Sequence, residues 1–446
     1  MTEKEPAAHP PHLSDPSLTT VRVVYPDVHG VPRGKDVPLA EFARVSEHGL
    51  AFCAAVMATD LRHTPVLGPE IGYPDLVAHP DLASLTLLPW EPGVACCIAD
   101  VHPAGEGGAP PADPRGAVRR AVAAFEELGL APIVGPELEF FLCERDAEAP
   151  GGLRRYVDNL SMVYTVGPQA DPRGVVSRLS EALAGMGMGT FAANHEFMNS
   201  QFEINLRHGP ALTAADRAFR LKSAVKDVAV QNGLLATFMG KPFNDQGGSG
   251  FHLHVSADRE GDNAFADGTD ANGVSDELRR FTAGVLAHAP ALMALLNPTI
   301  NAYRRIVPDS LAPISINWGW DNRTVFVRIP PERGGATRME IRIGDGSANP
   351  YLAIAATLFA GLHGLREELT LSPPVTGDAY TQGEGGGAAI PLSLEAALDA
   401  LEADEYLSAA IGAAIVEPFL AMKRFEVERH RGWVSDWERD EYLHHL

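Results

Sequence analysis

Residues 134–142 read VGPELEFFL and residues 248–256 read GSGFHLHVS. In an extended strand residues i and i+2 point to the same side. The first stretch therefore puts Glu137 and Glu139 on one face, with Leu138 and Phe140 on the other. The second does the same with His252 and His254 against Leu253 and Val255. A third stretch, RMEIRIG (338–344), pairs Glu340 with Arg342. A fourth, NHEFMNSQFEINL (194–206), offers Glu196 and Glu203 at a spacing of seven. That odd spacing needs a turn or bulge near Asn199-Ser200 if both are to face one cavity.

A lone ExE pair is ordinarily a solvated face. Five glutamates and two histidines on half-buried strands are a different matter, because ionised carboxylates gathered in one cavity repel, and each unpaired buried one costs several kcal/mol. Bound divalent cations are the simplest compensation. Hard carboxylate oxygens with an imidazole suit Mg²⁺ or Mn²⁺ rather than a structural zinc. Arg304, Arg305, Arg323, Arg328, Arg338 and Arg342 crowd a segment of about forty residues with few acids beside them in sequence. Guanidinium forks bind carboxylate and phosphate, as a site for a nucleotide triphosphate and an amino acid requires.

The rest of the chain bounds the answer. Its 446 residues, 45% hydrophobic and 21% charged, describe a packed globular protein rather than a disordered, collagenous or coiled-coil one. A net charge of −22 opposes nucleic acid. Cys53, Cys96, Cys97 and Cys143 lack zinc or disulfide spacing and read as buried thiols. No signal-like or membrane-length apolar run is present, which predicts a cytoplasmic protein with no membrane partner. Residues 1–17 predict a mobile tail, 18–112 an N-terminal domain opening on a hairpin through His29-Gly30, and 113–446 a larger domain. Helical spacing marks the segment from Pro114, then about 173–186, 214–232, 275–297, 349–368, 392–403 and 405–426. The one low-complexity stretch is the loop 383–387.

From about Thr19 onward these motifs resemble the glutamine synthetase family. VGPELEFFL is similar to its first metal strand, ATFMGKPFNDQGGSGFHLHVS to its substrate loop and HxH signature, and NAYRRIVP to its glutamate-binding arginine segment. NRTVFVRIP is similar to its ATP segment, and RMEIRIGDGSANPYLAIAATLFAGL to its second metal strand and following helix. No Walker loop is present. The resemblance implies an α+β fold: a β-grasp-like N-terminal domain, then a catalytic domain whose antiparallel sheet forms a funnel. It implies two or more Mg²⁺ or Mn²⁺ ions per site, ATP as co-substrate, and a homo-oligomeric ring, commonly a dodecamer. Carried over by residue, Glu139, Glu196 and Glu203 resemble the ligands of one metal, and Glu137, His252 and Glu340 those of the second. Gly248, Arg305 and Arg342 match glutamate-binding positions, and Tyr164 an aromatic at the amine site. Ser256, Arg323, Arg328 and Arg338 match positions facing ATP, with His254 in the nucleotide wall. Arg323, Arg328 and Glu340 carry the catalytic roles.

The departures concern the nitrogen substrate. In ammonia-using members a flap glutamate precedes an Ala-Pro; here the segment reads VPDSLAP and Leu311 stands in that place. Their Asp-Gly-Ser-Ser turn gives way to GLAFCAAVMATDL, where the Asp is absent or displaced to Asp60. A family asparagine becomes Gly247, and a lysine is missing from PERGGATRME. An ammonium site needs acids that attract NH₄⁺ and lower its effective pKa, and Leu311 offers apolar wall instead. The chain thus resembles the branch that ligates glutamate to a primary amine (ethanolamine, a monoamine or a polyamine) through γ-glutamyl phosphate. Asp309 or a neighbouring subunit's acid would take the amine proton. An ammonia-dependent synthetase and a non-catalytic relative are the other readings. Tyr380 falls near the family's adenylylated tyrosine in altered surroundings, which predicts no such regulation.

Overall fold

The computed structural model describes residues 13, 15–67, 72–105, 111–157, 162–382 and 387–446. Most of the expected tail and residues 383–386 of the Gly-rich loop lie outside the described residues.

The first sheet is built from β1 (Thr20–Pro26), β2 (Pro32–Pro38), β3 (Leu50–Cys53), β4 (Asp75–Pro80), β5 (Thr86–Leu87) and β6 (Val94–Pro103), in the order β2-β1-β6-β4-β3 with β5 on β6. Helix α1 (Leu39–His48) follows β2. The β1–β2 hairpin turns because the Asp27 carboxylate accepts the backbone N–H groups of His29 and Val31, both at 2.9 Å. Gly30 has φ +77° and lies so close to Asn349 that a Cβ would sit 2.9 Å from its Cα. Only glycine fits there.

The second sheet follows α2 (Pro114–Glu126) and has eleven strands. They are β7 (Ala131–Arg145), β8 (Leu153–Arg155), β9 (Thr190–His195), β10 (Gln201–Leu206), β11 (Gly209–Pro210), β12 (Leu235–Thr237), β13 (Phe251–Arg259) and β14 (Asp262–Asn263). After β15 (Ser315–Ile316), which pairs elsewhere, come β16 (Trp318–Trp320), β17 (Val327–Ile329) and β18 (Met339–Ile341). The path runs β16-β17-β18-β13-β7-β10-β9, antiparallel except for β16 on β17. This mixed architecture agrees with the α+β expectation.

Helices α3 (Val175–Gly185) and α4 (Ala211–Gln231) precede the β12–β14 region, and α5 (Asp276–Ala287) and α6 (Ala289–Leu296) follow it. Helix α7 (Pro350–Arg366) is buried almost all round and packs on α2, α4 and α5. The chain ends in α8 (Leu394–Ala403), α9 (Glu405–Ile411), α10 (Ala413–Arg431) and α11 (Asp436–Tyr442). Two expected single helices are each broken in two. In 275–297 the break is at His288, where Pro290 has no N–H to continue the ladder and sits in the first turn of α6. In 405–426 it is Gly412, at φ +97°. Cys53, expected to be buried, ends the sheet-edge strand β3 and is exposed; the other three cysteines are buried.

One ion cluster joins the two sheets. The Arg115 guanidinium on α2, 1% exposed, donates to Asp100 on β6 at 2.6 Å, to Asp81 after β4 at 2.7 Å and to Asp216 on α4 at 2.8 Å. Tyr351 of α7 donates its hydroxyl to Asp216 at 2.8 Å. Asn349 caps α7 through the Tyr351 N–H and donates to the Asp27 and Val28 carbonyls, both at 3.1 Å. Substituting Arg115→Met takes from half-buried Asp216 its guanidinium partner, while Arg119 still reaches Asp81 at 3.1 Å and Asp100 at 2.9 Å. It should cost on the order of 3–5 kcal/mol, read as a lowered urea midpoint, with a smaller loss for Arg115→Lys.

Candidate active site

Cross-strand register builds the site. Glu203 on β10 stands opposite Glu139 on β7, and Glu137 stands opposite His252 on β13. His254 in turn faces Glu340 on β18, which faces Arg328 on β17. Leu138, Phe140, Leu253 and Ile341 point the other way into the core. Glu196 joins the row because β9 and β10 form a tight hairpin: Ser200 takes φ +66°, and the Glu196 N–H donates to the Gln201 carbonyl at 2.9 Å. The turn demanded by the spacing of seven is there.

The carboxylates fall into two electrostatic classes. Glu137 is half-buried, and desolvation would raise its pKa, yet His252 and His254 hold it well below the ordinary value. Burial also opposes ionisation of Glu340, but Arg342, His254, His252 and Arg328 bring it down to about 2. Glu340 is clamped by Arg328 Nη1 at 2.8 Å on one oxygen and by Arg342 on the other. At the opposite end burial, then Glu139, pushes Glu196 up to about 7. Burial, then Glu137, Glu139 and Glu196, raises Glu203 well above its usual range. Among the described residues no cation pairs with Glu196 or Glu203.

The donors fit hard divalent ions. Ligand atoms of Glu137, Glu203 and His252 lie within 4.8 Å of one another, as do those of Glu137, His254 and Glu340. Glu139, Glu196 and Glu203, the expected ligands of one ion, do not form such a tight group; Gln201 Nε2 at 2.7 Å and the Gly250 N–H at 2.9 Å hold one Glu139 oxygen. His254 is wired at both nitrogens. Arg338 Nε donates to Nδ1 at 3.1 Å, so Nε2 carries the proton and donates to Glu137 at 3.0 Å. His254 thus orients Glu137, and His252, with Nδ1 3.7 Å from Glu137 and 3.9 Å from Glu340, is the imidazole open to a metal. Ser256 lies half-buried on the same face of β13.

Arg305 is 6% exposed, its Nη2 donating to the carbonyls of Ile343 and Gly344. Gly248 lies directly against it: a Cβ there would be 2.6 Å from Arg305 Cδ and 2.2 Å from the Gly240 carbonyl. Arg342 is buried and donates through Nε to the Arg323 carbonyl at 3.1 Å, while Arg323 itself is exposed. The few acids of the same segment neutralise its arginines: Asp321 pairs with Arg328 at 2.6 Å, Glu332 with Arg338 at 3.1 Å, and Glu340 with both Arg328 and Arg342.

Of the residues expected around the nitrogen substrate, Tyr164 is 65% exposed, and its N–H donates to the His195 carbonyl at 2.9 Å, next to Glu196. Leu311 is 38% exposed and, like Asp309, has positive φ, +57° and +62°. Tyr380, close enough to Arg342 and Asp309 to feel their charges, donates its hydroxyl to the Ala312 carbonyl at 2.9 Å. Gly247 leaves room filled by Met198, whose Cε would lie 3.1 Å from an added Cβ. Asp60 is committed elsewhere. It is 3% exposed, accepts the Arg62 and Thr64 N–H groups at 2.8 Å each and pairs with Arg429. Sequence reasoning missed Gln201 and Asn205, although they share the i, i+2 face with Glu203; Asn205 donates to Glu203 at 2.6 Å.

The family described as "Glutamine synthetase, catalytic domain" matches residues 111–442. The glutamine synthetase of Methanocaldococcus jannaschii is 35% identical over 441 residues, spanning 95% of this chain and 94% of that protein. That of Staphylococcus aureus is 33% identical over 434 residues, spanning 95% and 94%. Among solved structures, a GmaS in complex with ADP aligns with a TM-score of 0.85 at 34% identity, covering 96% of this chain and 97% of the other. A ligand-free GmaS gives 0.84 at 35%, covering 96% and 97%.

The raised Glu196 gives a pH signature. Its folded pKa, about 7, exceeds its ordinary 4.5, so in EDTA-treated protein its contribution to stability is full below about pH 4.5 and is lost as pH rises through 7. Glu196→Gln should remove this loss, on the order of 3 kcal/mol, so that the melting temperatures of variant and parent diverge progressively above pH 5. A constant difference across that range would contradict the assignment.

Proposed function

The chain belongs to the glutamine synthetase family of ATP-dependent, divalent-metal-using ligases that join glutamate to a nitrogen substrate, and from that premise we propose that it is a glutamate–amine ligase. The observation that carries the reading is the flap. Leu311 stands where the ammonia-using members hold a glutamate, and Asp60, the nearest acid to their missing Asp-Gly-Ser-Ser turn, is sealed by Arg429. Similarity to the GmaS structures, a gamma-glutamylmethylamide synthetase, supports the same class of substrate. The amine is ethanolamine, a monoamine or a polyamine.

Two Mg²⁺ or Mn²⁺ ions, one held by Glu139, Glu196 and Glu203 and one by Glu137, His252 and Glu340, would neutralise the ATP phosphates. Arg305, Arg342 and Gly248 hold glutamate. Ser256, Arg323, Arg328 and Arg338 face the nucleotide, with His254 keeping Glu137 in place. The glutamate γ-carboxylate attacks the γ-phosphorus, the bond to the β-phosphate oxygen breaks, and γ-glutamyl phosphate and ADP form. A neutral amine beside Tyr164 and Leu311 attacks the acyl carbon and expels phosphate, whose charge Arg323 and Arg328 stabilise. Its proton passes to Asp309 or to an acid of a neighbouring subunit. The same reading divides the chain at about residue 112 and assembles it into a cytoplasmic ring, a dodecamer as in the family. No single helix among the described residues is long and apolar enough to cross a membrane. Tyr380, engaged with Ala312, is not an adenylylation site.

The curated relatives are glutamine synthetases, which favours a second reading with ammonium as the nitrogen donor. Phosphate release with ATP, glutamate and a panel of ammonium, ethanolamine, putrescine, spermidine and a short alkylamine separates the two. The best amine should exceed ammonium in kcat/KM by about tenfold or more, roughly the 1.4 kcal/mol that one lost attraction supplies. The reverse order rejects the amine reading. Leu311→Glu should recover ammonium use only in part. Glu340→Gln should lower kcat by about 100-fold or more while leaving the fold intact by circular dichroism, and unimpaired turnover in this variant would remove Glu340 from the site.

A further inference from the structure

One sizeable cavity lies apart from the carboxylate row. A space of about 750 Å³ lies between the first sheet and helices α4 and α10, bounded by β2, by Leu88 and Trp90, and by residues 235–239. Its charge runs against that of the chain. Seven lysines and arginines line it against two aspartates, in a protein of net charge −22. Three of the cations are paired: Arg22 with Asp36 and Glu91, Arg33 with Asp27, and Lys423 with Glu426.

Arg220, Lys222 and Lys226, within two turns of α4, have no ion-pair partner among the described residues. Arg220 bonds the Ser84 carbonyl, and its Nε is buried with no hydrogen bond. Lys222 donates to the Ala348 carbonyl at 2.8 Å and lies 5.5 Å from the Phe238 ring centre. Burial, then Lys226, lowers Lys222 to about 7, and burial lowers Lys226. Asp345 and Asp227 attract these two ammonium groups from beyond contact distance and do not repay their desolvation. The volume lies in the range of small-molecule sites, about 300–1,000 Å³, and Leu88, Trp90, Phe219 and Met239 supply an apolar wall that a bare inorganic ion would leave wet.

We propose that this cavity binds a small organic polyanion, carboxylate or phosphate ester, with an apolar or aromatic body, its charges on Arg220, Lys222 and Lys226. The occupant is one residue removed from the glutamate end. Ser347 lines the cavity and donates its N–H at 2.8 Å to Asp345, whose other oxygen is 3.8 Å from Arg305 Nε. Met239 lines it too, and the carbonyl of the next residue, Gly240, accepts the Ser249 N–H at 2.8 Å beside Gly248. Occupancy therefore shifts the KM for glutamate, whichever nitrogen donor the enzyme uses.

The test is calorimetry on the full-length protein saturated with Mg·ADP, so that the nucleotide site is filled, titrated with isophthalate in one arm and AMP in the other. Saturable binding is expected in at least one arm, weakened about tenfold or more by Lys226→Glu, a cost typical of replacing a paired charge by its opposite. The arm that binds tells carboxylate from phosphate recognition. No saturable binding in either arm up to about 10 mM, weaker than small-molecule sites of this size show, overturns the site. Binding that both Lys226→Glu and Lys222→Met leave unchanged does the same. A ligand that binds yet leaves the glutamate KM of the parent unmoved overturns the coupling.

Discussion

Repulsion among carboxylates fixed to one sheet face is the constraint that the rest of the molecule answers. Glu203 opposite Glu139 is an arrangement that destabilises a sheet. It persists because the other face of the same strands carries Leu138, Phe140, Phe251, Leu253 and Ile341, all essentially buried. Each such side chain contributes about 1.5–3 kcal/mol of burial, so the apolar face can hold the acids where they would not go by themselves. The protein then supplies counter-charge unevenly. Arg328, Arg342 and the two histidines serve Glu340 and Glu137, while among the described residues Glu196 and Glu203 have amides, such as those of Asn194 and Asn205, and no cation partner. The unevenness locates the demand for an external cation.

Much of this was legible in the chain because strand geometry has a period of two. Glu137/Glu139, His252/His254 and the helix from Pro114 needed only local rules, and even the turn between β9 and β10 was asked for, as a turn or a bulge, by a spacing of seven. What local rules could not supply was pairing. That His254 is held between Arg338 and Glu137 depends on strands brought together from far apart in sequence, and that Arg328 divides itself between Asp321 and Glu340 depends on the register of β17 on β18. Pro290 and Gly412 were visible as residues, yet the strong apolar periodicity on either side concealed that each ends one helix and begins another. Cys53 was misjudged because edge strands expose a face that composition alone does not reveal.

The division of labour between sheet and loop also differs in rigidity. The acids ride on paired strands, where a slip of one residue would turn every side chain to the wrong face. Leu311 and Asp309 ride on a short segment whose left-handed backbone is held by the Ser310 hydroxyl on the Arg305 and Val307 carbonyls and by Tyr380 on Ala312. Left-handed conformations cost a non-glycine residue on the order of 1 kcal/mol each. The part proposed to meet the nitrogen substrate is thus the part most easily rebuilt.

The Arg115 cluster has a consequence for ionic strength. Its three carboxylates meet a guanidinium that solvent barely reaches, whereas the −22 net charge is spread over a surface bathed in counterions. At 0.15 M salt the screening length is about 8 Å, enough to quiet the surface repulsion and too long to enter the buried contact. Exposed pairs such as Arg424 with Glu402 weaken as well, but these are worth little at any salt. Dissolved salt therefore weakens what pushes this protein apart more than what holds its two sheets together, and a brine is a milder solvent for it than fresh water.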